Sequence, residues 1–460
     1  MPLATPASSS FRDPSGFMFQ EGGVWFRQVN EKYRPDFEAL VGSGLYDELV
    51  AAGRLIPHAE VAPREGAWKV LKPHQIDTIS YPYEWCFSQL KDAALATLAI
   101  QVAAIERGMS LKDASAYNIQ FLDGRAVHID TLSFERLEEG RPWVAYGQFC
   151  QHFLAPLALM ARTDIRLSQL SRVHIDGVPL DLAAALLPWS TRFSFGLGLH
   201  VHAHASSKTR HAGNSAALSA PAAKSAVFSK TAFLGTLDSL RSTVESLDWR
   251  PAGTEWADYY ERNNNYGEEG LREKEQAVGA MLDHLAPKTV WDLGANTGRM
   301  SRLAASRGAK VVAWDIDPAC VEANWRAVVR GKETNVLPLL QDLTNPSGGI
   351  GWGGSERMSI AERGPVDVVM ALGLIHHLAI SNNVPMDRVA AFLAGLGRGI
   401  ILEFVPKEDS QVRKLLSTRE DIFPTYDRPG FEAACARHFT VEEAVEIPGT
   451  CRTLYRLRAR

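Results

Sequence analysis

Cysteine is scarce. Five occur in 460 residues, at Cys86, Cys150, Cys320, Cys435 and Cys451, with no CxxC pair. That argues against a disulfide framework or a cysteine zinc site and suits a reducing compartment. An excess of either charge is also missing: 49 Lys and Arg stand against 53 Asp and Glu, a formal net charge of −4. Nothing in that balance marks a dedicated nucleic-acid binder. No window stays apolar over the ~18 residues that a membrane span needs. The opening residues 1–15 lack the apolar centre of a secretory signal and read as a loose tail. A cytoplasmic protein is therefore expected. Its composition, 46% hydrophobic and 22% charged, is that of a globular chain, and its length calls for two or three domains.

One further absence narrows the chemistry. Thr289–Leu293 reads as a buried strand, followed by a turn through Gly294 and Gly298 and a helix carrying Met300, Leu303 and Ala304. Strand, glycine turn and helix present backbone N–H groups to a ligand. A dinucleotide fingerprint would need glycine at 294, 296 and about 299, but Asn296 and Arg299 stand at the last two places. Instead an acidic residue, Asp292, lies two before the first glycine, and Thr297-Gly298 closes the turn. This Asp-x-Gly-x-x-Thr-Gly pattern resembles motif I of the class I S-adenosylmethionine-dependent methyltransferases.

The residues that follow keep the same order. A second strand, Ala309–Trp314, leads into Asp315, a third, Asn335–Leu340, into Asp342, and a fourth, Val366–Leu372, into Gly373 and the pair His376-His377. A fifth, Gly399–Phe404, carries Glu403, and Phe439–Glu446 with Thr453–Leu457 reads as a terminal antiparallel pair. The alternation of strands and helices is that of a doubly wound sheet. The resemblance implies an α/β, Rossmann-like domain with a seven-stranded sheet and S-adenosyl-L-methionine as cofactor. It implies cofactor contacts at Asp292, Gly294, Asn296, Gly298, Asp315, Asp342 and Leu372: Asp292 near the ammonium, Asp315 on the ribose, Asp342 near the adenine. Candidate catalytic groups are His376, His377 and Glu403, with Lys407 beside the last. Either histidine acts as a base, or the pair caps a helix and packs the sheet. Thr344–Gly364 is long enough for a lid; its Glu356, Arg357, Glu362 and Arg363 either recognise an acceptor's charge or pin the segment. The aromatic stretch Glu255–Tyr266, with Trp256, Tyr259, Tyr260 and Tyr266, either covers the cofactor or packs on the domain.

The first half has its own pattern. A hairpin (Phe17–Phe19 and Val24–Val29), a helix (Pro35–Ala52), a strand pair (Leu55–Val61 and Ala67–Leu71) and a long helix (Phe87–Arg107, ended by Gly108) come in that order. Then come Asp113, Asn118, a hairpin turn at Asp123-Gly124, and Asp130. Asp, four residues, Asn, hairpin, Asp resembles the catalytic segment of the protein-kinase-like fold, where the residues matching Asn118 and Asp130 hold magnesium. Departures are plain: Leu111 and Lys112 replace the usual His and Arg, Thr131-Leu132 replaces Phe-Gly, and Arg27 is the nearest occupant of the usual lysine's place. The region is an α+β domain resembling a degenerate kinase-like fold, either a scaffold or an active phosphotransferase. His200, His202 and His204 alternate, which on a strand would put them on one face for a metal; no metal site is otherwise expected. A helix, Trp143–Arg162, and a linker rich in Ser, Ala and Lys complete the half.

The expected organisation is a tail (1–15), a kinase-like domain (16–204), a linker (205–230) and a methyltransferase domain (231–460). Ser80–Trp85, Lys112–Asn118, Asp342–Ser347, Glu356–Pro365, Leu374–Ile380, Asn382–Pro385 and Glu403–Val412 further resemble a bacterial family of two-part methyltransferases, some similar to nodulation-associated ones. The function implied is O- or N-methylation of an unidentified acceptor, small molecule or protein. A phosphotransferase or nucleotide-binding module fused to a methyltransferase, and a cofactor-binding regulator without turnover, stay as alternatives. The absence of an Asn-Pro-Pro-Tyr motif after the fourth strand argues against a nucleobase acceptor. Oligomeric state is not legible.

Overall fold

The computed structural model describes residues 4–205, 229–251 and 267–460. The chain divides into two compact units that part at Arg250/Pro251. The first is organised around a four-stranded antiparallel sheet, ordered β1 (Gly16–Glu21), β2 (Val24–Val29), β4 (Lys69–Pro73), β3 (His58–Val61). The expected helix Pro35–Ala52 is instead two helices, Arg34–Gly42 and Leu45–Ala51. Gly44 breaks it by taking φ +76°, a left-handed conformation open to glycine and costly for other residues. Val29, Tyr33, Phe37, Leu71 and Leu132 pack together, so the helix and sheet close over the segment after Asp130. Tyr33 ties them further: its hydroxyl donates to the carbonyls of Thr131 and Phe134.

The long helix Phe87–Glu106 is followed by two small ladders. β5 (Met109–Leu111) pairs with β8 (Phe134–Arg136), and β6 (Ile119–Leu122) pairs with β7 (Arg125–His128). This keeps the order of elements expected of a kinase-like fold. Trp143–Arg162 is helical only from Tyr146, with a π-helical stretch at Cys150–Leu154. The helix Lys230–Ser246, expected to open the second domain, belongs to the first unit. Lys91 on the long helix donates to the carbonyls of Glu245 and Leu247 at its end, and Phe233, Leu237 and Leu240 are buried. The expected linker falls mainly on residues outside the described set, and so do Trp256, Tyr259, Tyr260 and Tyr266.

The second unit is built on a seven-stranded sheet ordered β11, β10, β9, β12, β13, β15, β14. Its strands are β9 (Thr289–Leu293), β10 (Lys310–Asp315), β11 (Val336–Leu340), β12 (Val366–Ala371), β13 (Gly397–Phe404), β14 (Phe439–Glu446) and β15 (Thr453–Ala459). The first five are parallel, and β15 runs antiparallel between β13 and β14. Counting from β9, the order is 3-2-1-4-5-7-6, the sheet of a class I methyltransferase. Parallel central strands are covered on both faces, hence the near-continuous apolar runs Val290-Trp291 and Val368–Ala371. The strand order turns back between β9 and β12, where the chain crosses from one half of the sheet to the other, and ligands of such sheets bind in the crevice at the carboxyl end of that switch point.

Candidate functional site

β9 delivers Asp292 to the crevice floor. Asp292 is 2% exposed, and Ser301 of the following helix donates to its Oδ2 at 2.6 Å. Burial pushes its carboxyl up to about 6, against the opposing pull of Ser301 and Lys274. Two glycines make the turn possible. Gly294 sits at φ +75°, with Leu374 only 3.4 Å from where a Cβ would stand. Gly298 sits at φ +83°, where a Cβ would come within 2.5 Å of the Asn324 side chain. Between them Asn296 takes φ +51° and donates its backbone N–H to Asp315 Oδ2 at 2.7 Å. The turn is thus fastened to the end of the neighbouring strand. The other oxygen of Asp315 accepts from the backbone N–H of Asp317 at 2.8 Å. Burial raises this carboxyl also to about 6. Neither Asp292 nor Asp315 has an ion-pair partner within 4 Å among the described residues.

The turn and the end of β10 open on one cleft of about 270 Å³. Gly294, Asn296, Asp315, Asp342 and Leu372 all line it, together with His376 and His377. Asp292 and Gly298 stand behind the wall, as floor and hinge. Asp342 is fixed by Thr344, whose N–H and hydroxyl both donate to its Oδ1. On the other side, the turn of π-helix His377–Ser381 brings Leu378 and Ser381 to the wall, with Asn382 and Gln411 beside them. His376 is 2% exposed, its ring stands 4.1 Å from that of His377, and its Nδ1 has no hydrogen-bond partner among the described residues. Burial, then His377, Arg452 and Lys274, hold its ring well below the ordinary imidazole range, so it is neutral at pH 7.

Glu403 lies elsewhere. It is fully buried and is no part of the cleft wall. Lys274 donates to its Oε2 at 2.7 Å, Arg452 stands 3.4 Å from Oε1, and Arg452 in turn binds Asp409 at 2.7 Å. Glu403 therefore anchors Lys274, and it is Lys274 that reaches the cleft. Lys407 is committed to Asp421 and the carbonyl of Phe423. In the lid segment Glu356 is 4% exposed and accepts the N–H of Trp352, Glu362 caps a short helix at Ser359, and Arg363 lies over the Trp314 ring. These contacts of Glu356, Glu362 and Arg363 accord with the second of the two roles expected, pinning the segment. Lys274, Ser301 and Arg452 went unnoticed in the sequence. A signal for the first existed: Lys274 falls on the stripe Leu271, Val278, Met281, Leu282 that packs in the core.

The first unit brings Asn118 and Asp130 together and sets Asp113 apart. Asn118 donates to Ser133 Oγ, and Ser133 donates to Asp130 Oδ2. Asp113 accepts from the Ser115 N–H and the Gln148 amide. Arg27 reaches Asp130 at 3.0 Å. Burial would raise the Asp130 carboxyl, but Arg27, His128 and the bonds from Leu132 and Ser133 hold it below the usual range. His200 and His202 lie on a π-helical turn, Gly198–Ala203, and His204 follows at its end, so the three are not on a strand. His200 is hydrogen-bonded to Tyr146 and Ser239, and His202 to Thr191. Among the described residues no group of three or more His, Cys, Asp or Glu is placed to hold a metal ion. Nor, among them, is any helix long and apolar enough to cross a membrane.

Nodulation protein NoeA of Rhizobium meliloti (strain 1021) is 35% identical over 462 residues, an alignment covering 97% of this chain and 95% of that protein. No protein-family model matches the chain. Magnesium protoporphyrin IX methyltransferase (ChlM) from Synechocystis PCC 6803, solved with bound SAH, is 20% identical, with TM-score 0.30 over 44% of this chain and 91% of its own. The bifunctional kinase-methyltransferase WbdD is 17% identical, with TM-score 0.31 over 45% of this chain and 43% of its own. At such scores these likenesses decide nothing; the strand order and the cleft do.

Proposed function

The chain belongs to the family of nodulation protein NoeA, and we propose that it is an S-adenosylmethionine-dependent methyltransferase whose acceptor lies against His376. Two buried carboxylates with no ion-pair partner within 4 Å among the described residues, at the switch point of this sheet, carry the reading: Asp292 and Asp315 want a cation and hydroxyl donors. S-adenosylmethionine offers an ammonium, two ribose hydroxyls and an adenine. Asp292 would take the first, Asp315 the second, and Asp342 the last, while the bare Gly294 leaves room for the amino-acid end. The cofactor, when bound, supplies a methyl group activated on a sulfonium.

The rest falls to the chain's own residues. Gly294, Leu372 and Leu374 give the reacting end apolar walls that exclude water. The neutral His376 ring can accept a hydrogen bond from an acceptor O–H or N–H and orient its lone pair, one part of the positioning of two reactants that as a whole contributes roughly 7–11 kcal/mol in favourable cases. Its depressed basicity makes it a weak general base. Ser381, Asn382 and Gln411 add uncharged donors and acceptors on the same side, which suits a neutral polar acceptor.

Calorimetry with S-adenosylmethionine tests the cofactor assignment: micromolar binding is expected, and no binding by the full chain overturns it. Transfer of labelled methyl groups into cell extracts tests turnover. His376→Ala is expected to bind cofactor within about threefold of the parent and to lose most transfer, the outcome that separates an enzyme from a cofactor-binding regulator. Arg27 on Asp130 favours a scaffold role for the first unit, since a guanidinium already fills the place where a metal would meet that carboxylate. A thermal shift with ATP and magnesium, abolished in Asp130→Ala, would sink that view.

A further inference from the structure

We propose that the face of the first unit built by Leu186–Leu199 docks on an anionic lipid surface. Within seven residues the chain exposes three aromatic side chains: Trp189 at 69%, Phe193 at 73% and Phe195 at 81%. Leu186 and Leu199 are also exposed, and the Trp189 and Phe193 rings touch edge to face with centroids 4.8 Å apart. A patch of this kind on an otherwise ordinary surface marks an interaction site.

The display is built, not frayed. Leu187, Thr191, Leu197 and Val201 alternate with the exposed residues and are buried. Thr191 Oγ1 bonds the Pro188 carbonyl at 2.6 Å and His202 at 2.8 Å. Gly196 lies so close to the helix Lys230–Ser246 that a Cβ would stand 2.0 Å from Thr243 Oγ1. The backbone is therefore clamped from beneath while the rings point away.

Charge selects the occupant. From Leu182 to Ala205 the described chain holds 24 residues with one cation, Arg192, and no Asp or Glu. At the chain's overall frequency of 53 in 460, about three acidic residues would be expected there. Arg192 stands among the exposed rings, and the nearest acids on the adjoining helix, Asp238 and Glu245, are paired with Arg241. Tryptophan, phenylalanine and leucine with a cation and without carboxylates suit the boundary between anionic headgroups and acyl chains. A nucleic-acid surface would call for a cluster of cations among the rings, and Arg192 is alone there.

The test is sedimentation of the full chain with vesicles of equal parts phosphatidylcholine and phosphatidylglycerol, against pure phosphatidylcholine. The parent is expected to sediment with the mixed vesicles and about fivefold less with the neutral ones, the preference that one cation supplies. The triple variant Trp189→Ser, Phe193→Ser, Phe195→Ser should lose binding while its melting midpoint and S-adenosylmethionine affinity stay put. Arg192→Glu should lose the anionic preference. Failure of the parent to bind either vesicle, equal binding by the triple variant, or a dimer that only the triple variant dissolves would each overturn the proposal.

Discussion

Asp130 lies just beyond β7 in the first unit, and Asp315 closes β10 in the second; both are largely buried, and their states are opposite. Asp130 is met by a guanidinium, a hydroxyl and a backbone N–H, and its carboxyl is held low. Asp315 is met by backbone N–H groups alone, and its carboxyl is raised to about 6. The carboxyl of Asp292 is likewise raised to about 6, although the Ser301 hydroxyl donates to it. One unit has spent its charge on its own arginine, and the other holds charge in reserve. A carboxylate kept buried without a counter-ion is an expensive feature that a stable fold alone does not require, so the second unit is where a ligand belongs.

The sharpest break of this contrast comes from Arg27→Ala. It leaves Asp130 buried with its main cation gone, a change that costs about 3–5 kcal/mol for such pairs. Denaturant unfolding followed by exchange in the peptides around 109–133 should show the loss in the first unit, with S-adenosylmethionine affinity unchanged. An unaltered stability would mean that Asp130 is not spent on Arg27 at all. Next in size is Asp315→Ala. Removing an acceptor for two ribose hydroxyls should weaken S-adenosylmethionine about 100-fold, close to 3 kcal/mol, by calorimetry. Unchanged binding would remove the ribose assignment.

Acidification should move the two units in opposite directions. Asp292 and Asp315 titrate near 6 in the fold and near 3.9 in an unfolded chain, so between those values the native state holds the extra protons. Their contribution to stability is full below the unfolded value and is lost as pH rises through about 6. Asp130, held low in the fold, contributes stability above the unfolded value and loses it as pH falls further. From pH 7 to pH 5 the ligand-free second unit should therefore gain protection against exchange while the first stays level. Cofactor affinity should fall over the same interval by about tenfold through Asp292, because protonation removes the partner of the ammonium, and by less through Asp315, which when protonated keeps one oxygen to accept from the ribose. Flat affinity from pH 7 to 5 would detach the binding site from both aspartates.

Much of the second unit was legible in the chain. The alternation of apolar strands and helices implied the sheet, and Asp292, Gly294, Asp315 and Asp342 were found from their places at strand ends. The reason is local: a strand end and a glycine turn are set by residues within a few positions. Glu403 shows where that logic stops. Its strand-end position matched those of Asp315 and Asp342, which line the cleft, but its partners come from Lys274, 129 residues away, and Arg452, 49 residues away. Whether an acid faces a cleft or a buried cation depends on such distant neighbours. The split of the expected helix Pro35–Ala52 was within reach, since Gly42-Ser43-Gly44 interrupts its apolar spacing. The placement of the helix Lys230–Ser246 in the first unit was not, because it rests on packing against a helix more than a hundred residues earlier.

The smallest effect probes the reserve of charge most directly. Ser301 is fully buried, and its hydroxyl is the group within hydrogen-bond reach of Asp292. It stabilises the ionised carboxylate, so Ser301→Ala withdraws a pull toward lower pKa. The variant should carry the pH midpoint of S-adenosylmethionine binding upward, by less than about one unit for a single neutral hydrogen bond. At pH 8, where Asp292 is ionised in both proteins, parent and variant should bind nearly alike; at pH 6 they should separate. A uniform loss at both pH values would mean that Ser301 acts by shaping the turn. A midpoint that moves, with affinity restored at high pH, ties the cofactor's ammonium to the charge of Asp292 and not merely to the shape of its crevice.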